Sequence, residues 1–296
     1  MQDNGNAPTV GQFGTFSGIV QSKLWPALKG RISDEEMKGF IGKPEDVMLR
    51  LRNGFTARRS SVPVVPTSPF FANEETPSNY GYPDSYTVKP VCEQLVELSK
   101  HFPKLDSTGV LACSKELPML PEGAEGWFAV PRWEKVAKTY NEALEKVLDL
   151  IGTTRTLHNY RKGALGPKHL KLSERTVAAL QMLGEKQKGD FLLIPAQFGL
   201  THRGRSVRRT RVIYAPHEFG LGSFVVGSML LSHPERLVAW EQLHIDCPGD
   251  KYSPGAGGSF SRAPVFCWSD GKVGFYADRA DDASAHFGSA SAFLPQ

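Results

Sequence analysis

Apolar residues recur at helical spacing between Pro131 and Gly152, and this is the clearest pattern in the chain. The apolar positions are Trp133, Val136, Ala137, Tyr140, Leu144, Val147 and Ile151, with charged residues on the opposite face. Spacings of three and four place such positions on one side of an α-helix. The pattern predicts a single helix that starts near Pro131 and ends at Gly152.

Three further segments favour helix. Residues 91–101 form one, and Ser173 can cap another that runs through residue 183, with Val177, Leu180 and Leu183 on its apolar side. Residues 219–232 are uncharged and contain three glycines. Fourteen residues fall short of the roughly 20 that a membrane span requires, so this run predicts a buried helix.

Short apolar runs that end at Gly, Pro or Asp predict strands. They lie at residues 109–113, 126–130, 191–194, 212–214, 243–247, 265–268 and 273–276. The last two are separated by Asp270-Gly271, which suits a two-residue type I′ hairpin. Because helices dominate the first part and strands the last, the order predicts an α+β fold with a mixed or antiparallel sheet packed with several helices.

The residues before this unit divide into two segments. In the first, residues 1–59, Ser33 and Glu36 form a capping box for one short helix, and a second follows Pro44. The pair resembles a helix-turn-helix in outline, and a plain helical hairpin is the alternative. Residues 60–90 carry six prolines, which exclude regular helix, and five aromatics. We therefore predict a short helical N-terminal region, a Pro-rich linker or wrapping arm, and a main domain over 91–296.

The aromatics of the arm are Phe70, Phe71, Tyr80, Tyr82 and Tyr86. That much ring surface normally lies in a groove rather than in solvent. The arm is expected to pack on the body of the protein or on a second copy of the chain, which would make a homo-oligomer.

Composition adds little that is specific. The chain has 296 residues, 40% hydrophobic and 22% charged, and four cysteines without a C-x-x-C pair. These values are typical of a soluble globular protein with reduced thiols. The first residues lack the features of a secretory signal, so the sequence predicts a cytoplasmic protein that does not contact a membrane.

Charge, in contrast, is segregated along the chain. Residues 154–211 hold thirteen Lys or Arg and three acids, a net charge of +10. The whole chain carries +4, so the remaining residues sum to −6. Segregated positive charge indicates a polyanionic partner.

Two basic tracts make up this segment, and both suit DNA or RNA. In residues 155–171 cations alternate with Tyr160, His158, His169 and glycines, as in a loop that follows phosphates and offers a ring for stacking. Residues 201–211 contain five arginines, whose planar guanidinium matches phosphate. The predicted nucleic-acid contacts are Arg155, Arg161, Lys162, Lys168, Lys171, Arg203, Arg205, Arg208, Arg209 and Arg211. A solvated or internally paired face is the alternative interpretation.

A second hypothesis is a hydrolase centred on Cys247, with His244 and Asp246 as partners. A thiolate needs a nearby cation or base to act as a nucleophile. However, alternation along a strand puts His244 and Asp246 on one face and Cys247 on the other. The sequence therefore predicts a slow, buried thiol, and whether the chain is an enzyme stays open.

Other signatures are absent from the sequence. No close-spaced Cys or His pair announces a zinc site, and no Walker lysine or Gly-x-Ser-x-Gly is present. Gly220-x-Gly222 lacks the third glycine of a dinucleotide turn. We therefore predict no cofactor and no metal. A structural or assembly subunit that uses the Pro-rich arm is the third hypothesis.

Overall fold

The computed structural model describes residues 74–113 and 117–294, which belong to one compact unit, Pro69–Gln296. The two predicted N-terminal helices, and the first part of the arm with Phe70 and Phe71, lie outside the described residues. The boundaries at 59 and 90 stay predictions. Within the described residues, no helix combines the length and apolar character of a membrane span.

In the described residues, helices and 3₁₀ turns are interspersed with strands up to residue 243, and only strands follow. The helices are α1 (Val91–His101), α2 (Thr108–Cys113), α3 (Trp133–Val136), α4 (Tyr140–Thr154), α5 (Glu174–Lys186), α6 (Val207–Ile213) and α7 (Ser223–Ser232). The 3₁₀ turns are Leu200–His202 and Pro234–Arg236.

The strands form two sheets. They are β1 (Gly126–Pro131), β2 (Leu157–Asn159), β3 (Leu170–Leu172), β4 (Phe191–Gln197), β5 (Glu218–Gly220), β6 (His244–Asp246), β7 (Asp250–Tyr252), β8 (Arg262–Ser269), β9 (Lys272–Arg279), β10 (Phe287–Ser289) and β11 (Ser291–Phe293). A four-stranded antiparallel sheet has the order β1-β4-β11-β5. In the seven-stranded sheet, β8 pairs antiparallel with β6, β7 and β9, while β10, β3 and β2 extend it.

The predicted α+β class with mixed and antiparallel strands is confirmed. Helix α7 lies at the centre of the fold, and each of its ten residues is buried. It packs against α1, α4 and β1. A Cβ added at Gly227 would lie 2.6 Å from a methyl of Val147 and 3.5 Å from the ring of Phe266. Glycine there lets α7 approach both α4 and the inner face of the seven-stranded sheet.

Local signals placed several elements correctly. Helix α1 has the predicted bounds, Ser173 caps α5 by accepting a bond from the Thr176 amide, and β8 and β9 form the predicted hairpin. Its turn residues, Asp270 and Gly271, have φ of 50° and 73°, as a type I′ turn requires.

Three expectations were wrong. The helix predicted over residues 131–152 is interrupted at 137–139, because Thr139 forms a capping box with Glu142 and starts α4, which continues to Thr154. Residues 109–113 are helical rather than a strand. Residues 212 and 213 are the end of α6 rather than a strand; the helix has Ser206 as its N-cap and Tyr214 as its C-cap.

On α5 the apolar side also differs from the expected one. Thr176, Ala179 and Leu183 are buried, and Val177 is 46% exposed. The hydroxyl of Thr176 donates to the carbonyl of Gly220, so this polar residue occupies a buried position with a hydrogen-bond partner.

The described part of the arm lies on its own unit. Tyr82 donates a hydrogen bond to the carboxylate of Glu125, and the guanidinium of Arg236 lies 3.7 Å from the centre of the Tyr82 ring. Tyr86 contacts Phe198 edge to face. These tyrosines fill a groove, as their ring area predicts.

The outer face of the seven-stranded sheet is only partly covered. Val207 of α6 packs on Ala263 and Ala280 at one end of this face. Cys267, Ser269 and Tyr276 line a surface cavity at the other end. We call that second part the open end of the sheet.

Candidate nucleic-acid interface

The second basic tract is largely engaged within the protein. Arg208 pairs with Glu74 at 2.5 Å, and Arg209 pairs with Glu75 at 2.8 Å. Arg205 lies 3.5 Å from the carboxylate of Glu75. These contacts join the start of the described arm to α6 and to the loop before it.

Two further arginines complete the tract. Arg211 is held beneath the loop after β6, where it donates to the carbonyls of Pro248 and Asp250 at 2.9 and 2.6 Å. Arg203 is exposed and donates to the Tyr80 carbonyl at 3.1 Å. The five arginines therefore do not share one surface, and Arg203 is the member whose surroundings lie nearest the open end.

In the first tract, Arg155 also has a structural position. Its guanidinium donates to the carbonyls of Pro234 and Leu237 at 2.8 and 2.9 Å. Burial lowers the pKa of Arg155 to about 10, against the attraction of Glu235. Arg155 thus anchors the 3₁₀ turn after α7.

Other cations of this tract lie close to Lys251 of β7 and Arg262 of β8 in the seven-stranded sheet. Lys171 of β3 lies directly opposite Lys251 of β7. Arg161 and Arg262 both donate to the carbonyl of Ala277, at 3.3 and 3.1 Å, so their guanidinium groups converge. Directly opposed like charges destabilise a sheet unless a counter-charge is close.

None of these cations has an acidic partner within the part of the chain that the structure describes. The eight ion pairs recorded there do not include Arg161, Lys162, Lys168, Lys171, Lys251 or Arg262. Lys162, Lys168 and Lys171 are exposed. We call these six residues the cationic edge.

Aromatic rings lie beside the cationic edge. The ring of Tyr160 is 51% exposed and stands 4.1 Å from that of His158 and 6.4 Å from that of Tyr276. A Cβ added at Gly274 would lie 3.6 Å from the Tyr160 ring and 2.7 Å from Cys267 Sγ. The absence of a side chain at Gly274 therefore lets Tyr160 lie across the open end of the sheet.

A cavity of about 490 Å³ opens here. It is lined by Tyr160, Arg161, Trp240, His244, Cys267, Ser269, Tyr276, Ser284, His286 and Phe287. Trp240 is 51% exposed, and its ring lies 5.0 Å from that of His244 and 5.6 Å from that of His286. The cavity therefore offers several ring surfaces and a few polar groups, a combination typical of ligand sites. We call it the aromatic cavity.

His244 is the unusual member of this lining. It is fully buried, neither ring nitrogen has a partner among the described residues at normal hydrogen-bond distance and angle, and the Trp240 backbone is close enough to affect the ring. Burial, together with repulsion from His286 and Arg236, lowers the pKa of His244 to about 4, against a smaller effect of the Trp240 backbone. His244 is therefore neutral near pH 7, with one donor and one acceptor.

The three residues of the hydrolase hypothesis do not converge. Cys247 is fully buried in the core, where burial and the charge of Asp250 raise its pKa well above the usual value. His244 lines the aromatic cavity instead. Burial and the nearby Asp278, opposed by Arg211, raise the pKa of Asp246 to about 8. The alternation along β6 thus separates the thiol from both partners.

Two other types of site find no support here. Over residues 74–113 and 117–294, no three His, Cys, Asp or Glu side chains are placed to hold a metal ion. At the start of α7, Asp250 accepts bonds from the amide and hydroxyl of Ser223 at 2.7 and 2.5 Å. A carboxylate of the chain itself therefore occupies the position at which a dinucleotide fold binds phosphate.

A second cavity, of about 420 Å³, lies between the end of α1 and α4. Its apolar wall includes Phe102 and Leu150, and Lys135 and Lys146 stand at its rim. Both lysines are engaged, with Asp190 and with the Val136 carbonyl. No buried polar atom without a partner lies in its lining, so the aromatic cavity is the stronger candidate.

Comparison of this chain with family models, with curated proteins and with solved structures finds no match.

Some of the site could be foreseen and some could not. The tract of residues 155–171 supplied Tyr160, Arg161 and Lys171. Sequence reasoning missed Lys251 and Arg262 because long-range strand pairing brings them to the tract. It also missed Trp240, which stands in an irregular segment without a periodic signal.

Proposed function

We propose that this chain binds single-stranded nucleic acid across the open end of the seven-stranded sheet. The observation that carries the proposal is that Arg161, one of six cations without acidic partners in the described part of the chain, also lines the aromatic cavity. Phosphates suit such cations, and the rings of the cavity suit unstacked bases.

The phosphate contacts in this proposal are the cationic edge, with Arg203 on the other side of the cavity. Arg203 forms a backbone bridge to Gly288, next to Phe287 of the cavity lining. Its donation to Tyr80 places it close to His286, because the rings of Tyr80 and His286 are 4.1 Å apart. A strand that crosses the cavity would therefore meet positive charge before and after it.

A single strand is favoured over a duplex because the rings are on a sheet surface. Bases stack on exposed aromatic side chains only when they are unpaired, and every base has a face that can stack. The contacts do not distinguish DNA from RNA.

The other two hypotheses have less support. The thiol of Cys247 lies in the core and has no access to a substrate. An assembly role through the arm would need exposed rings, whereas Tyr82 and Tyr86 pack against the same chain.

The test is the salt dependence of binding to a fluorescent single strand, measured by anisotropy. Each phosphate contact contributes about 0.7 to the slope of log affinity against log salt for a single strand. Replacing Lys162, Lys168, Lys171 and Lys251 by Gln should lower the slope by roughly 2 to 3. The loss should be similar for unrelated sequences, since backbone contacts carry no sequence information.

A control variant removes the same charge elsewhere. Lys104, Lys138, Lys186 and Lys188 are exposed and lie outside the cationic edge. Their replacement by Gln should leave the slope nearly unchanged. Equal losses in the two variants, or no binding at micromolar protein in low salt, would refute the proposal.

A further inference from the structure

The aromatic cavity contains an unusual share of the polar atoms that lack partners. Thirteen buried side-chain nitrogen or oxygen atoms of the described residues make no hydrogen bond. Four of them belong to residues that line this cavity: both ring nitrogens of His244, Nδ1 of His286 and Nε of Arg161. Buried polar groups are normally paired, because an unpaired one loses its hydration without compensation.

A second buried histidine shows what a structural role looks like in this fold. His233 is also fully buried, and burial likewise lowers its pKa to about 4. Its Nε2 accepts a bond from the Lys89 amide at 3.1 Å, and its Nδ1 lies 3.0 Å from the Ser232 hydroxyl. Both nitrogens of His233 are thus paired, whereas those of His244 are not.

Three rings pack against His244. Those of Trp240, Phe287 and His286 lie 5.0, 5.1 and 6.3 Å from it, and Trp240 is 51% exposed. The irregular segment around Trp240 precedes β6 and follows the 3₁₀ turn Pro234–Arg236. His244 and Trp240 both line the aromatic cavity.

From this arrangement we infer that the aromatic cavity accepts one unstacked base of the bound strand, whose edge hydrogen-bonds to His244 and whose face stacks on Trp240. The inference rests on the proposed function and adds a base-binding pocket to it. A nucleobase fits because it combines a flat ring with donors and acceptors on its edge. The unpaired nitrogens of His244 then lower the stability of the free protein, and hydrogen bonds to the base remove this loss.

His244→Phe should raise thermal stability and weaken binding. The substitution keeps a ring of similar size and removes two unpaired polar atoms, so Tm should rise, by about 2 to 4 °C. Binding should weaken, because the edge contact is lost. His233→Phe is the matched control and should lower Tm, since it leaves the Lys89 amide without its acceptor.

Binding is measured with two single strands of roughly eight nucleotides, a length within the range of known single-strand sites. One carries bases and the other is abasic throughout. The wild-type protein should prefer the base-bearing strand by roughly tenfold or more, since each stacked base contributes about that factor. His244→Phe and Trp240→Ala should both reduce this preference and leave affinity for the abasic strand unchanged.

The outcomes separate the two proposals. If the wild-type protein binds neither strand, both the proposed function and the base-binding pocket are refuted. Binding of both strands, with a base preference that neither variant alters, overturns the pocket alone. A fall in Tm for His244→Phe like that for His233→Phe would make His244 an ordinary structural histidine. A nucleoside monophosphate that binds as tightly as the strand would assign the cavity to a free nucleotide and overturn the inference.

Discussion

Asp246 should make this protein less stable as the pH rises from mildly acidic to neutral. The side chain is 7% exposed, and its pKa is raised from 3.8 to about 8 by burial and by Asp278. The folded chain therefore holds a proton at Asp246 that the unfolded chain releases above pH 4. Stability from this group is fully present below the unfolded pKa and is lost as the pH rises through the folded pKa.

The size of this pH effect follows from the one proton that Asp246 holds in the folded chain and releases in the unfolded chain. A difference of one bound proton changes the free energy of unfolding by about 1.4 kcal/mol for each pH unit. Between pH 5 and pH 7 the loss is on the order of 3 kcal/mol. Burial raises the pKa of Glu125 to about 7 and that of Asp250 to about 6, so these residues add a decline of the same sign. Burial lowers the pKa of His233 and His244 to about 4, so these two add a rise between pH 5 and about pH 6.5, and the Asp246 contribution has to be isolated by substitution.

Asp246→Asn isolates the contribution of one carboxyl group, because the amide has a similar shape and stays neutral. Urea unfolding at pH 5 and pH 7 measures this contribution. From pH 5 to pH 7, the free energy of unfolding of the variant should rise by about 3 kcal/mol relative to that of the wild type. Asp282→Asn, at an exposed position, is the control and should follow the wild type. A wild-type pH dependence in Asp246→Asn would show that Asp246 does not hold this proton in the folded chain.

Two other predictions concern backbone and thiol. Gly199 has φ of 128°, and a Cβ there would lie 2.6 Å from the Gly288 carbonyl oxygen. Gly199→Ala should therefore lower the free energy of unfolding by several times the roughly 1 kcal/mol expected for Gly163→Ala, where φ is 80° but no atom of the described residues lies near the added Cβ. Equal losses in denaturant unfolding would contradict this. Cys247 should resist alkylation at pH 8 in the folded protein while exposed Cys92 reacts, and peptide mapping that finds Cys247 labelled first would revive the hydrolase hypothesis.

Elements with strong local signals were predictable from the sequence. The Asp270-Gly271 turn and the Ser173 cap depend on a few adjacent residues, and the structure has both. The capping box at Thr139 was also visible, but the apolar spacing continues through it and hid the break. Val212 to Tyr214 favour a strand by composition, whereas Ser206 caps a helix that includes Val212 and Ile213.

The site was predictable only where it is local. Tyr160 and Lys171 stand in a tract whose charge is evident from composition. Lys251 reaches Lys171 through strand pairing across 80 positions of sequence, and only the register of β3 and β7 reveals their opposition. The internal pairing of Arg208 with Glu74 is equally non-local, so the same composition supported two opposite interpretations of the arginines.

The last two strands of the described chain affect how the protein can be synthesised. β10 joins the seven-stranded sheet, and after the single residue Ala290, β11 enters the four-stranded sheet between β4 and β5. Until residues 291–293 have left the ribosome, β5 has no neighbour in its sheet and β4 has an open edge. Nascent chains therefore expose unpaired strand edges from the synthesis of β4 and β5 until that of β11, and a chaperone would have to cover these edges.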